Sequence, residues 1–227
     1  MADMIETFSS PDEFADAAAA AVLEELSRGL DERGAATLVA TGGRSPAPVY
    51  DRLSAAKIDW AKVSVTLSDE RLVPPDAPDS NERLVRAHLL QGPAAAARFV
   101  PLYSPTGDPQ AAAERAEPAL RKLTPFDSML LGMGEDGHVA SLIPGSPVLA
   151  QGMDLGGEAL LLGVPAGVGS PPLARITLTL PALLQARAIL LLISGPRKRE
   201  VVAEEAGLPV HALLEQAKGR VRILWTP

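Results

Sequence analysis

The chain has 227 residues and a formal net charge of -7, with 21 Lys and Arg against 28 Asp and Glu. With 47% hydrophobic and 22% charged residues, it is too apolar for a disordered chain, and at this length it buries about 70% of the surface its unfolded form exposes. The absence of cysteine excludes a disulfide framework, a cysteine zinc site and a thiol nucleophile. Three histidines cannot fill a histidine-only zinc site and serve anything else. The acidic balance argues against a general nucleic-acid binder, which needs a surplus of Lys and Arg for phosphate contacts. It still admits a phosphate-bearing small molecule, provided the few basic residues converge.

Residues 1–6 lack the basic and apolar regions of a signal peptide. The longest purely aliphatic stretch, 188–193, is far below the roughly 20 residues that cross a bilayer. A soluble, cytoplasmic protein is expected. Residues 11–30 read as a helix, with Phe14, Ala18, Val22, Leu26 and Leu30 at every fourth position and an alanine run at 17–21. Gly34 follows as its stop. The apolar run 35–41 reads as a buried strand that enters a tight turn at Gly42-Gly43, and Ser45 as the N-cap of a following helix with Pro46 at its first position.

The same alternation continues down the chain. Short apolar runs at 63–67, 99–103, 126–132, 159–164, 175–178, 188–194 and 221–225 read as strands. Helical patterns cover 80–90 and 108–123, and another leads from Lys198 to Val201. Apolar strands alternating with helices predict an open, mostly parallel α/β sheet with helices on both faces. No internal repeat or long linker divides the chain. The Gly/Pro-rich segment 166–172 reads as a surface loop, so one domain is expected over 1–227.

Ligands of open α/β sheets bind beyond the carboxyl ends of the strands, and the unusual polar clusters all fall there. Gly42, Gly43, Arg44 and Ser45 join a strand to a helix, where the backbone can approach an anion closely. The spacing is neither Gly-x-Gly-x-x-Gly nor a Walker loop, so nucleotide binding is not supported; a plain capped turn explains it equally well. In 134–138, His138 follows a glycine turn, and its unperturbed pKa near 6.5 suits a general base, with Asp136 placed to orient the ring. A loop histidine beside a capping aspartate is the equal alternative. Ser68, Asp69, Glu70 and Arg71 put two acids and a cation at another strand end, where a solvated charge run is the simpler reading. Lys198 opens a helix after the most apolar strand and suits a phosphate. Arg175 starts a strand, where a salt bridge suffices. His88 and His211 lie away from glycine turns and read as structural.

Four motifs in this order resemble the 6-phosphogluconolactonase family: TGGRSP (41–46), SDERLVP with DSN (68–74, 79–81), LLGMGEDGHVASLIPG (130–145), and ARIT with SGPRK (174–177, 194–198). They span most of the chain. The family is part of a larger group of sugar-phosphate enzymes that includes glucosamine-6-phosphate deaminase. The resemblance implies a Rossmann-like fold of the sugar-phosphate isomerase/lactonase type and hydrolysis of 6-phospho-D-glucono-1,5-lactone in the pentose phosphate pathway. It implies no organic cofactor and no obligatory metal; a monomer or small homo-oligomer is expected, with no nucleic-acid or membrane partner. His138 would activate water, oriented by Asp136. Gly42, Gly43, Arg44, Ser45 and Lys198 would hold the phosphate, Asp69 and Asn81 would meet the substrate, and Arg71 and Arg175 would add charge at the phosphate or the developing oxyanion.

Two rivals stay open. The deaminase pattern carries a glutamate five positions after the histidine, and here that position is Ile143, before Pro144. Isomerisation needs an acid/base set for ring opening and C–H proton transfer, whereas lactone opening needs only activated water and charge stabilisation, so Ile143 favours the hydrolase. A non-catalytic sugar-phosphate sensor would be expected to carry a DNA-binding helix-turn-helix, and no basic segment precedes residue 35.

Overall fold

The computed structural model describes residues 5–204 and 206–227. Residues 1–4, on which part of the signal-peptide reading rests, lie outside them. The strands are β1 (Ile5–Thr7), β2 (Ala36–Ala40), β3 (Val63–Leu67), β4 (Asp69–Arg71), β5 (Arg98–Phe99), β6 (Phe126–Gly132), β7 (Leu161–Val164), β8 (Arg175–Leu178), β9 (Ala186–Ser194) and β10 (Val221–Thr226). The helices are α1 (Pro11–Arg33), α2 (Ala47–Ser54), α3 (Asn81–His88), α4 (Pro109–Arg121), α5 (Leu149–Met153), α6 (Leu180–Leu183), α7 (Pro196–Glu204) and α8 (Pro209–Ala217).

Seven strands form one sheet in the order β1-β10-β9-β6-β2-β3-β5, with every pairing parallel. Every residue of β2, and all of β6 except Gly132, is buried. Side chains alternate between the faces of a strand, so such a run is possible only where both faces are covered. α1 packs on β2, β6 and β10. Its sequence explains its extent: the Ser10 hydroxyl accepts from Glu13 N at 3.2 Å, and Gly34, at φ 70, ends it with a bond to Leu30 O. Gly29 lets α1 approach the sheet, since a Cβ there would lie 2.8 Å from the carboxyl carbon of Asp127.

Three features depart from the sequence reading. The runs expected at 159–164 and 175–178 form β7 and β8, which pair antiparallel with each other and with β4 in a separate three-stranded sheet. The segment between them holds no helix, and without a crossover two successive strands can pair only antiparallel. The strand expected at 99–103 is cut to Arg98–Phe99: pairing with β3 ends after Val100 N bonds Val65 O, and Pro101 has no N–H to continue it. The helix after Gly43 starts one residue late. Its first bond runs from Tyr50 N to Pro46 O, so Pro46 is the N-cap and Ser45 makes no capping bond.

That shift matters because α2 also supports the end of β2. The Tyr50 hydroxyl, fully buried, accepts from Thr41 N at 2.8 Å and donates to Thr41 O at 2.7 Å. Both backbone groups of the residue that follows β2 are thus satisfied by one side chain, and the glycine turn leaves the sheet from a fixed point. Burial pushes the Tyr50 phenol above its ordinary pKa, so it stays neutral and can both give and accept. No helix of the described residues is long and apolar enough to cross a membrane. Tyr50→Phe leaves two buried backbone groups unpaired and is expected to cost about 1–3 kcal/mol in urea unfolding.

Candidate active site

A cavity of about 150 Å³ opens at the carboxyl edge of the parallel sheet. Of the eleven residues singled out from the sequence, ten line it: Gly42, Gly43, Arg44, Ser45, Asp69, Arg71, Asn81, His138, Arg175 and Lys198. The eleventh, Asp136, stands behind His138. The wall carries four cations and one carboxylate, in a chain whose overall charge is negative.

The loop after β6 builds the His138 corner from local geometry. Gly137 N bonds Gly134 O and Gly134 N bonds His138 O, closing a tight turn with Gly137 at φ 75. The turn folds His138 back over Gly134, where a Cβ would lie 2.3 Å from both His138 Nδ1 and Asp136 Oδ1. In the space glycine leaves, His138 Nδ1 meets Asp136 Oδ1 at 2.6 Å. This bond holds the Asp136 carboxyl below its ordinary pKa, against the opposing pull of desolvation. An ionised Asp136 can only accept, so Nδ1 is the donor in this bond, and in the neutral ring the lone pair lies on Nε2.

The opposite wall is assembled from distant segments. Arg71 donates to Asp79 O and to Asn81 Oδ1, both at 2.9 Å. Asn81 donates in turn to Asp69 O at 2.8 Å and sits against Gly42, where a Cβ would lie 2.0 Å from its Oδ1. Arg175 is 3% exposed; it bonds Pro171 O at 2.9 Å and Ser141 Oγ at 3.4 Å, and stands 3.9 Å from Asp69 Oδ2. Burial lowers the Arg175 pKa, Asp69 and Asp136 oppose the shift, and Arg71 adds to it. Lys198, in the first turn of α7, is pushed below the usual lysine range by burial, with Arg44 adding to the shift and Glu135 opposing it.

The charge run 68–71 is not a solvated face. Asp69 is 5% exposed and Glu70 fully buried, since β4 pairs with β8 as a strand of the second sheet. His88 pairs with Asp51 at the surface, and buried His211 bonds Val201 O and Leu208 N; neither reaches the cavity. Sequence reasoning missed Ser141, which donates to Asp69 Oδ2 at 2.6 Å. Its signal was its place three residues after His138. Ile143 is a buried apolar residue. Among the described residues, no three His, Asp or Glu side chains converge to hold a metal ion.

An open parallel sheet with a cationic pocket and a His–Asp pair at its carboxyl edge defines a class of α/β protein whose cleft at the strand ends suits a small anion. The model of the glucosamine-6-phosphate isomerase/6-phosphogluconolactonase family matches residues 9–223. A 6-phosphogluconolactonase of Caulobacter vibrioides is 44% identical over 97% of this chain and 96% of its own. One of Mesorhizobium japonicum is 42% identical over 97% and 94%. A crystal structure of a 6-phosphogluconolactonase from Shewanella baltica superposes with a TM-score of 0.93 at 36% identity, covering 98% of this chain and 97% of that one. The chain belongs to the glucosamine-6-phosphate isomerase/6-phosphogluconolactonase family.

Gly134→Ala tests the local design of the dyad. Its backbone needs no left-handed conformation, and the three atoms nearest the added methyl all belong to His138 and Asp136. Thermal unfolding should stay near wild type while turnover falls at least about 100-fold, the low end of the worth of a positioned base.

Proposed function

We propose that this chain hydrolyses 6-phospho-D-glucono-1,5-lactone to 6-phospho-D-gluconate, the lactone-opening step of the oxidative pentose phosphate pathway. It does so as a single α/β domain over 1–227 in the cytoplasm, a monomer or small homo-oligomer with no nucleic-acid or membrane partner. The observation that carries the reading is the His138–Asp136 contact beside a cavity walled by Arg44, Arg71, Arg175 and Lys198. The named relatives support the substrate.

In this reading, Nε2 of His138 takes a proton from a water whose oxygen attacks the lactone carbonyl carbon. Ionised Asp136 stabilises the imidazolium. The charge that develops on the carbonyl oxygen is met by Arg175, with Arg71 adding positive charge. The tetrahedral intermediate then expels the ring oxygen, which takes the proton back from His138, and the new carboxylic acid ionises to solvent. Lys198, Arg44 and the turn of Gly42, Gly43 and Ser45 hold the phosphate; Asp69 and Asn81 contact the sugar. The step requires no cofactor. Where the deaminase branch has a glutamate, buried Ile143 supplies no carboxylate, which favours hydrolysis over isomerisation.

His138→Ala should reduce turnover roughly 100- to 10,000-fold above spontaneous opening, with product binding little changed. Because the neutral imidazole is the base, wild-type activity should fall on the acidic side, and an active His138→Gln protein should lose that limb. A coupled assay comparing the phospholactone with glucosamine 6-phosphate decides between the two branches of the family.

Lys198→Ala should weaken 6-phosphogluconate binding by about 1.5–3 kcal/mol, while unphosphorylated gluconolactone is hydrolysed poorly and equally by both proteins. The charged lysine is the binding form, and burial lowers its pKa. Affinity should therefore be full below that pKa and fall as pH rises through it, at a lower pH than an ordinary lysine would give. Titration of 6-phosphogluconate across alkaline pH should show this fall in the wild type and not in Lys198→Ala.

A further inference from the structure

We propose that Glu70 is a positioning residue for the substrate wall: a buried carboxylate, out of reach of the cavity, that holds Asn81 and Arg71 where they meet the ligand. The inference rests on reading the cavity as a phosphosugar-lactone site.

Glu70 has no exposed surface. Oε1 accepts from the backbone N–H of Arg71 at 2.7 Å and of Asn81 at 2.8 Å; Oε2 accepts from Glu82 N at 2.7 Å and Ser80 Oγ at 3.0 Å. All four partners are neutral donors. A buried carboxylate without a cation is an expensive way to cap a helix, and α3 already has a local cap, with Ser80 Oγ accepting from Arg83 N. The additional carboxylate ties the first turn of α3 to β4.

The residue at the centre of that tie is Asn81. Its backbone N–H goes to Glu70, its carboxamide N–H to Asp69 O, and its carboxamide oxygen to the Arg71 guanidinium. Its side chain also fills the space that Gly42 leaves open. Glu70 therefore holds Arg71 by two routes, directly at its backbone N–H and through Asn81 at its guanidinium, and sets the seat of the glycine turn through Asn81. A carboxylate is required, since in Gln the NH2 group would face N–H donors. Desolvation raises the Glu70 pKa above the ordinary carboxylate value, and the four bonds oppose that rise without cancelling it.

The test is a double-mutant cycle on the full chain, read by KM and kcat for the phospholactone, the Kd of 6-phosphogluconate, and the acidic limb of the pH profile. Glu70→Gln should raise KM and Kd about ten-fold or more, and leave the acidic limb in place because the His138–Asp136 turn is untouched. Glu70→Asp, which keeps the charge, should recover part of the affinity. Glu70→Gln combined with Asn81→Ala should lose clearly less than the product of the two single losses, whereas its effect should multiply with that of Lys198→Ala. Wild-type Kd and KM in a folded Glu70→Gln protein would overturn the proposal, as would full multiplication with Asn81→Ala. If Glu70→Gln does not fold, Glu70→Asp carries the same cycle, and the same two results support or overturn the role. Wild-type turnover of the phospholactone judges the proposed function separately. Were it absent, the cycle would be read on binding of inorganic phosphate, with the same non-multiplicative result expected.

Discussion

Ser68 joins the two sheets, and the site depends on it. Its N–H bonds Ala40 O at the end of β2, its carbonyl accepts from Leu178 N of β8, and its hydroxyl reaches Thr41 Oγ1 and Asp69 Oδ1. One residue after β3, the chain leaves the parallel sheet and enters the antiparallel one. That junction anchors β4 and β8 at the carboxyl edge and presents Asp69, Arg71 and Arg175 to the loops after β2, β6 and β9. A parallel sheet alone would supply helix N-termini and glycine turns, which bind an anion. The second sheet adds one buried guanidinium, Arg175, and one half-buried, Arg71, to the cavity that His138 lines.

The two walls are built on different principles. His138 and Asp136 are two residues apart, and their geometry follows from one turn and the missing side chain of Gly134. Packing elsewhere can shift that turn as a body without separating the pair. The cation wall is held mainly by bonds between separate elements, Glu70 to Asn81, Asn81 to Arg71 and Ser141 to Asp69, with Pro171 to Arg175 a bond between near neighbours in the chain. Its members come from β4, α3, β8 and two loops, so each is held only as well as its neighbours. Such a wall concentrates positive charge in a partly desolvated pocket, where charge acts more strongly than in water. The lowered pKa values of Arg175 and Lys198 are the counterpart of that burial, and a bound phosphate would reverse the shift.

Local chemistry made much of this legible in the sequence. Apolar runs ended by glycine marked β2, β6 and β9; the four-residue apolar repeat and Gly34 marked α1; and polar residues after strand ends marked the glycine turn, the His138 corner and Lys198 through motifs carried within a few residues. Those features depend on propensity, capping and turn geometry, which a short stretch of chain determines by itself. The separate antiparallel sheet, the burial of Asp69 and Glu70, the late start of α2, and the partnership of Ser141 with Asp69 across 72 positions were decided only by the tertiary structure. A charge run reads alike whether water or a second sheet lies over it. Which of the two it is depends on the pairing of β4 with β8, strands far apart in the chain, and no local spacing encodes that distance.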